Sequence, residues 1–328
     1  NGGTGNVAIR VDPNNTATIG VAINGAGTLG KYDTGTLVLN GTNGYTGGTA
    51  LNGGKLVVGN DSALGTGVLT TANGTALDSN TAVNLANAVV LNGTLNVAGS
   101  NALTLGGVVS GSGSLVKSGA ASLTLNGNNT YSGGTQLAAG TLVLGNNNAL
   151  GSGTLGVTGN AVLDSTAALQ LNNAINLGAQ LALTGTQDTV LGGVISGTAS
   201  LVKNGTGALL LTGANTYSGG TTLNGGTTTG DTSSLQGAIA NNATLTFEQA
   251  ADGTYTGNLT GAGVLNKNGT GDLLLSGNNA FTGDTNVNAG GLLVNGTLNS
   301  ANVLVGSGAS LGGSGQLAGT ATLASGST

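Results

Sequence analysis

LVKNGTGALLLTGANTYSGGT, at 201–221, decides the fold because the chain keeps returning to it. LVKSGAASLTLNGNNTYSGGT stands 86 residues earlier at 115–135, and LGKYDTGTLVLNGTNGYTGGT another 86 earlier at 29–49. A fourth copy, LNKNGTGDLLLSGNNAFTGDT at 265–285, follows the third after only 64 residues. The register holds outside the motif: Asn60-Asp61-Ser62-Ala63-Leu64-Gly65 matches Asn146-Asn147-Asn148-Ala149-Leu150-Gly151, and Leu77-Asp78-Ser79 matches Leu163-Asp164-Ser165. Long internal periods mean stacked units, each burying its apolar face on the next. The last spacing falls short by one quantum of ~21–22 residues, which a solenoid tolerates because loss of a whole turn preserves the stack. Four quanta then fill each long spacing and three fill the short one.

Within a quantum, short runs such as Leu123-Thr124-Leu125, Leu142-Val143-Leu144 and Leu181-Ala182-Leu183 alternate apolar and small or polar residues between Gly, Asn, Ser and Thr clusters. That alternation reads as half-buried strand. No stretch offers an amphipathic helix, and Pro13 is the one proline. Glycine, 66 of 328 residues, supplies turns but not at every third position, so collagen is excluded. The fold expected is all-β: a parallel β-helix (β-solenoid) of about 15 coils, right-handed by the handedness of parallel crossovers and on the order of 70 Å long at ~4.8 Å per strand. Leu125, Leu144, Leu183 and Leu211 should point inward. Residues 1–294 form the repetitive β-helix, and 295–328, where Val305-Gly306-Ser307-Gly308 is echoed by Leu323-Ala324-Ser325-Gly326, form shorter coils. Ile19-Gly20-Val21-Ala22-Ile23 fits one period before Leu105 to Val109, so residue 1 is expected to fall inside a repeat.

Composition narrows the function. Cysteine and histidine are absent, so neither a disulfide framework nor a thiolate metal site is available. Charged residues make up 5% with a net charge of −5, and six dispersed Lys and Arg cannot form the basic stripe of a nucleic-acid binder. No run reaches the ~18 apolar residues of a membrane helix, and the start lacks a basic-plus-apolar leader. Gly308-Ala309-Ser310-Leu311-Gly312 fits a nucleophile elbow, but without histidine no Ser-His-Asp triad can form. Asp78 and Asp164 recur singly rather than in the pairs a polysaccharide-cleaving β-helix needs, and no calcium nonapeptide occurs. Neither catalysis nor a cofactor or metal is expected. Ice binding is a weaker reading, because Thr does not recur on every coil.

Lys203, Gly205, Gly207, Leu209, Leu211, Gly213, Asn215, Tyr217, Gly219, Gly220 and Thr221 carry a string that resembles the passenger-associated transport repeat, also called the autotransporter-associated β-strand repeat. The other copies depart at Ala121, Phe281 and Asp284. The resemblance spans roughly 25–294 and implies a type V secreted passenger on the surface of a Gram-negative cell. It also implies an outer-membrane β-barrel elsewhere in the parent, with 295–328 lying before the autochaperone and barrel. Many passengers of this family act in adhesion, autoaggregation or biofilm formation. Self-association and host or bacterial surface glycans or proteins are the partners expected. The alternative is a passive stalk and folding template for a missing N-terminal effector.

Three sets of residues are candidates for a site. Lys31, Lys117, Lys203 and Lys267 share one repeat position, read as solvated side chains beside a turn or, more sharply, as a row of cationic contacts. Tyr45, Tyr131, Tyr217 and Phe281 share another, read as rings packed over a turn with the hydroxyl reaching water, or as sugar-stacking platforms. The least repetitive stretch, with Phe247, Glu248, Asp252 and Tyr255, lies where a coil is lost and is the candidate local binding spot.

Overall fold

A computed structural model of the chain describes residues 5–328. Every regular element among them is a strand of two to five residues, and the strands pair in parallel. The chain divides into two compact units, 1–167 and 168–328.

In the first unit the strands form three sheets. One sheet stacks Leu29–Tyr32, Thr49–Leu51, Leu69–Thr71, Val89–Leu91 and Val109–Gly111. A second includes Thr75–Ser79, Leu95–Val97, Leu115–Lys117 and Thr135–Leu137, and a third Leu103–Leu105, Leu123–Leu125 and Gly140–Leu144. In the second unit Leu201–Lys203, Thr221–Leu223 and Ile239–Asn241 stack in one sheet, and Leu209–Leu211, Thr227–Gly230, Thr244–Glu248 and Val264–Asn268 in another. Alternation places side chains inside and outside: Leu123 and Leu125 are buried while Thr124 between them is half-exposed. Leu125, Leu144, Leu183 and Leu211 are all buried, each contributing about 1.5–3 kcal/mol.

A coil is 20 residues, not the 21–22 the spacing predicts, because Leu69 pairs with Val89 and Val89 with Val109. The solenoid has about 16 turns. The difference has a geometric cause. From Leu29 the parallel partners run through Thr49, Leu69, Val89 and Val109, four full turns, and the next motif opens one strand later at Leu115 on a different sheet. The 86-residue repeat is therefore four and a third turns. In the second unit Leu201 leads through Thr221, Ile239 and Leu259, three turns, and the fourth motif again opens one strand later, in Val264–Asn268. One whole turn is missing from the last spacing, as the shortfall predicts. Toward the end the coils shorten to 18 or 19 residues: Val303 pairs with Thr285 and Leu292 with Leu273.

Candidate functional site: the stapled corners of the repeat

The four lysines are not solvated. Lys31, Lys117 and Lys267 are fully buried and Lys203 is 4% exposed, which corrects the expectation of surface side chains. Alternation requires it: Lys117 follows Leu115 on the inward side of its strand. A buried ammonium must donate its hydrogens, and each finds backbone carbonyls at a coil corner. Lys31 Nζ donates to Asp33 O at 2.8 Å and Gly53 O at 3.2 Å, with Tyr32 O at 2.7 Å. Lys117 donates to Gly119 O and to Ala139 O at 3.2 Å, and Lys203 to Gly205 O and to Gly225 O at 3.3 Å. Lys267 donates to Asn268 O and Gly269 O, both at 2.8 Å, and to Ala289 O at 2.9 Å. In each copy one acceptor lies two residues ahead and another 22 ahead, so the lysine fastens its own corner to that of the next coil. Burial pushes all four ammonium groups below the ordinary lysine value, opposed by Asp33 near Lys31, Asp188 near Lys203, and Asp272 and Glu248 near Lys267. They form no row, because each unit places its two lysines on different sheets.

A second staple comes from an asparagine two residues before the aromatic position. At Asn43, Asn129 and Asn215 the segment leaves the strand conformation, whereas Asn279 lies in the short strand Asn278–Asn279, and in all four copies a side-chain amide bridges the coils. Asn129 Oδ1 accepts from Val109 N at 2.7 Å, one coil back, while its Nδ2 donates to Ala149 O at 2.6 Å, one coil ahead. Asn43 links Ile23 and Ala63 in the same way, and Asn215 links Ile195 and Ser234. Asn279 accepts from Leu259 N at 3.1 Å and donates to Thr297 O at 3.1 Å. Each amide spans three coils. The sequence reading named Asn215 within the repeat string but assigned these asparagines no role. Their fixed offset from the tyrosine was the available signal.

The tyrosines are buried as well, and their hydroxyls do not reach water. Tyr45, Tyr131 and Tyr217 share a hydrogen bond with Thr49, Thr135 and Thr221, four residues on, at 2.6, 2.6 and 2.7 Å. Rings 0–2% exposed cannot stack on a sugar. Burial raises all three phenols, Tyr131 to about 12, against the weaker effect of the threonine bond. Phe281 lacks the hydroxyl, and there Thr285 Oγ1 donates instead to buried Ser300 at 3.0 Å. The first glycine of the closing Gly-Gly-Thr is obligatory for a different reason: a Cβ on Gly133 would lie 2.5 Å from Gly113 O of the preceding coil.

The candidate binding spot divides. Phe247 and Tyr255 are buried and meet edge to face, ring centroids 5.2 Å apart, whereas Glu248 and Asp252 are exposed. The Tyr255 hydroxyl donates to Gly237 O at 2.5 Å, and burial raises its phenol strongly. The aromatic pair plugs the altered coil, so only the two carboxylates face outward, and Asp252 Oδ1 already accepts from Asp272 N at 2.8 Å. Asp78 is also engaged, paired with Lys55 at 2.5 Å and accepting from Ser79 and Ser100. Burial opposes its ionisation, but these partners outweigh it and hold the carboxyl below its usual value.

The passenger-associated transport repeat model matches this chain at 29–58, 115–144, 201–229 and 265–294, the four segments that carry the staples. The chain carries four passenger-associated transport repeats. It is also similar to a curated relative, an adhesin BmaC autotransporter of Brucella suis biovar 1 (strain 1330), at 41% identity over 130 residues. That match covers 38% of this chain and 4% of the relative's length. No solved structure matches the chain.

Proposed function

We propose that this chain is an adhesin-like passenger, a non-enzymatic surface scaffold that acts in adhesion, autoaggregation or biofilm formation through many weak contacts. The observation that carries the reading is the inward use of the motif. Lysine, asparagine and tyrosine are spent on joining coils, which leaves an exterior of repeated amides, hydroxyls and small side chains. Exposed Asn224 bonds Asn204 at 2.8 Å and accepts from Asn242 at 3.2 Å, a row one coil apart. Asn288 bonds Asn268 at 2.8 Å, and Asn286 bonds Asn266 at 2.9 Å. Such rows offer the same weak hydrogen-bonding site at each step, and linking weak sites raises avidity without any strong one. Glycans and proteins on host or bacterial surfaces, and further copies of the passenger, are the partners proposed. Display outside a Gram-negative cell through an outer-membrane β-barrel of the parent is part of the same reading.

The staples themselves favour a second reading, a stalk and folding template for an effector elsewhere in the parent. One experiment separates the two. The purified chain is coupled to beads at graded density and offered to bacterial cells and glycan-coated surfaces. Capture that rises steeply with density supports multivalent adhesion. No capture at any density supports the stalk.

A further inference from the structure

The tetrapeptide Leu-Asn-Gly-Gly occurs at 51–54 and again at 223–226, one repeat position in two different copies. The two corners have matching backbones. Asn52 N bonds Lys31 O and Asn224 N bonds Lys203 O, both at 2.8 Å, and Gly54 and Gly226 both have φ of 65°. Both asparagines are exposed, and Gly53 and Gly225 each receive the lysine staple on their carbonyl. Neither Gly53 N nor Gly225 N is hydrogen-bonded among the described residues.

The side-chain amides differ. Asn224 is held from both sides, by Asn204 and Asn242. Asn52 has Tyr32 one coil before and Ala72 one coil after, and its amide makes a single 3.4 Å contact with Ala50 O. At 3.4 Å that contact is too long to fix the amide.

We propose that Asn52 is a site of spontaneous covalent modification and that the Asn204–Asn224–Asn242 ladder protects Asn224 from the same reaction. The Gly53 nitrogen attacks the Asn52 side-chain carbonyl carbon. A new C–N bond closes a five-membered succinimide, and the side-chain nitrogen leaves as ammonia, carrying the proton lost from Gly53. Water then opens either ring carbonyl to give aspartate or isoaspartate. No oxidant, enzyme or metal is needed. Glycine at the attacking position places no Cβ in the way, and a free amide can rotate to present its carbon. At Asn224 two ladder bonds must break first.

The product adds a carboxylate one coil from Asp33, and the isoaspartate form adds a methylene to the main chain beside the Lys31 staple. The test incubates the folded chain at mildly alkaline pH and follows the aspartate and isoaspartate content of both peptides by mass spectrometry. Asn52 should convert roughly tenfold faster than Asn224, the order expected when two side-chain hydrogen bonds oppose the reaction. In denaturant the two rates should converge, because the tetrapeptides are identical. Asn204→Ala with Asn242→Ala should bring Asn224 up toward the rate of Asn52. Equal rates in the folded chain, faster conversion at Asn224, or no conversion at Asn52 would overturn the proposal.

Discussion

A lysine buried in an apolar stack is tolerable only if its ammonium is bonded, and here one group joins two successive corners. Hydrogen bonds from a charged donor contribute more than neutral ones, and orphaned buried carbonyls are costly. Lys117→Met keeps the stem and removes the donor, so it should destabilise the fold by about 1–3 kcal/mol. Faster amide exchange near Gly119 and Ala139 would locate the loss. The pH response follows from the shifted groups. The lysines have depressed values when folded, so the unfolded chain holds more protons between those values and 10.5, and stability should rise with pH through that window. The phenols shift the other way. The unfolded chain loses phenol protons from about 10 upward while folded Tyr131 holds its proton to about 12, so stability should fall above pH 10. Spectrophotometric titration should show phenolate from these tyrosines appearing together with loss of β circular dichroism. Ordinary ionisation near 10 with the fold intact would contradict their burial.

At the scale of one coil, the unit of tolerance is 20 residues. Deleting 90–109 puts Val89 in the place of Val109, keeping every inward residue inward. Such a chain should melt cooperatively within about 5 °C of the parent. Deleting one residue more, 90–110, exchanges inside and outside at the junction and should cost far more, because side chains alternate with period two. Thermal melts of the two deletions decide the point. The coil was only partly legible in the sequence. Strand type, parallel stacking and the missing turn could be read from Leu-x-Leu alternation and the 64-residue spacing. The coil length could not, because division of 86 into whole turns assumes that each motif returns to the same face. The third of a turn shows only when Leu29 and Leu115 are placed on their sheets. The site failed for a related reason. Lys117 and Tyr131 are amphipathic residues that ordinarily face water, and only the parity of Lys117 with Leu115 marks it as interior.

For the molecule as a whole, burying the motif lysines changes what a partner meets. In 168–328 both lysines are interior, while Asp188, Glu248, Asp252, Asp272 and Asp284 carry the charge of that unit's exterior with Asp231. Copies of the chain should repel weakly at low ionic strength, and salt should screen that repulsion. Sedimentation over a range of concentration should therefore show association that strengthens with added salt. A monomer under every condition would remove self-association from the proposed function. The central claim is that the repeat looks inward, its lysines serving as staples between coils rather than as contacts for a ligand. Amine acetylation of the folded chain, read residue by residue by mass spectrometry, tests it most directly. Lys55, whose side chain is 35% exposed although its ammonium pairs with Asp78, should react first, while Lys31, Lys117, Lys203 and Lys267 stay unmodified until the chain unfolds. Equal reactivity at all five lysines in the folded protein would contradict the account.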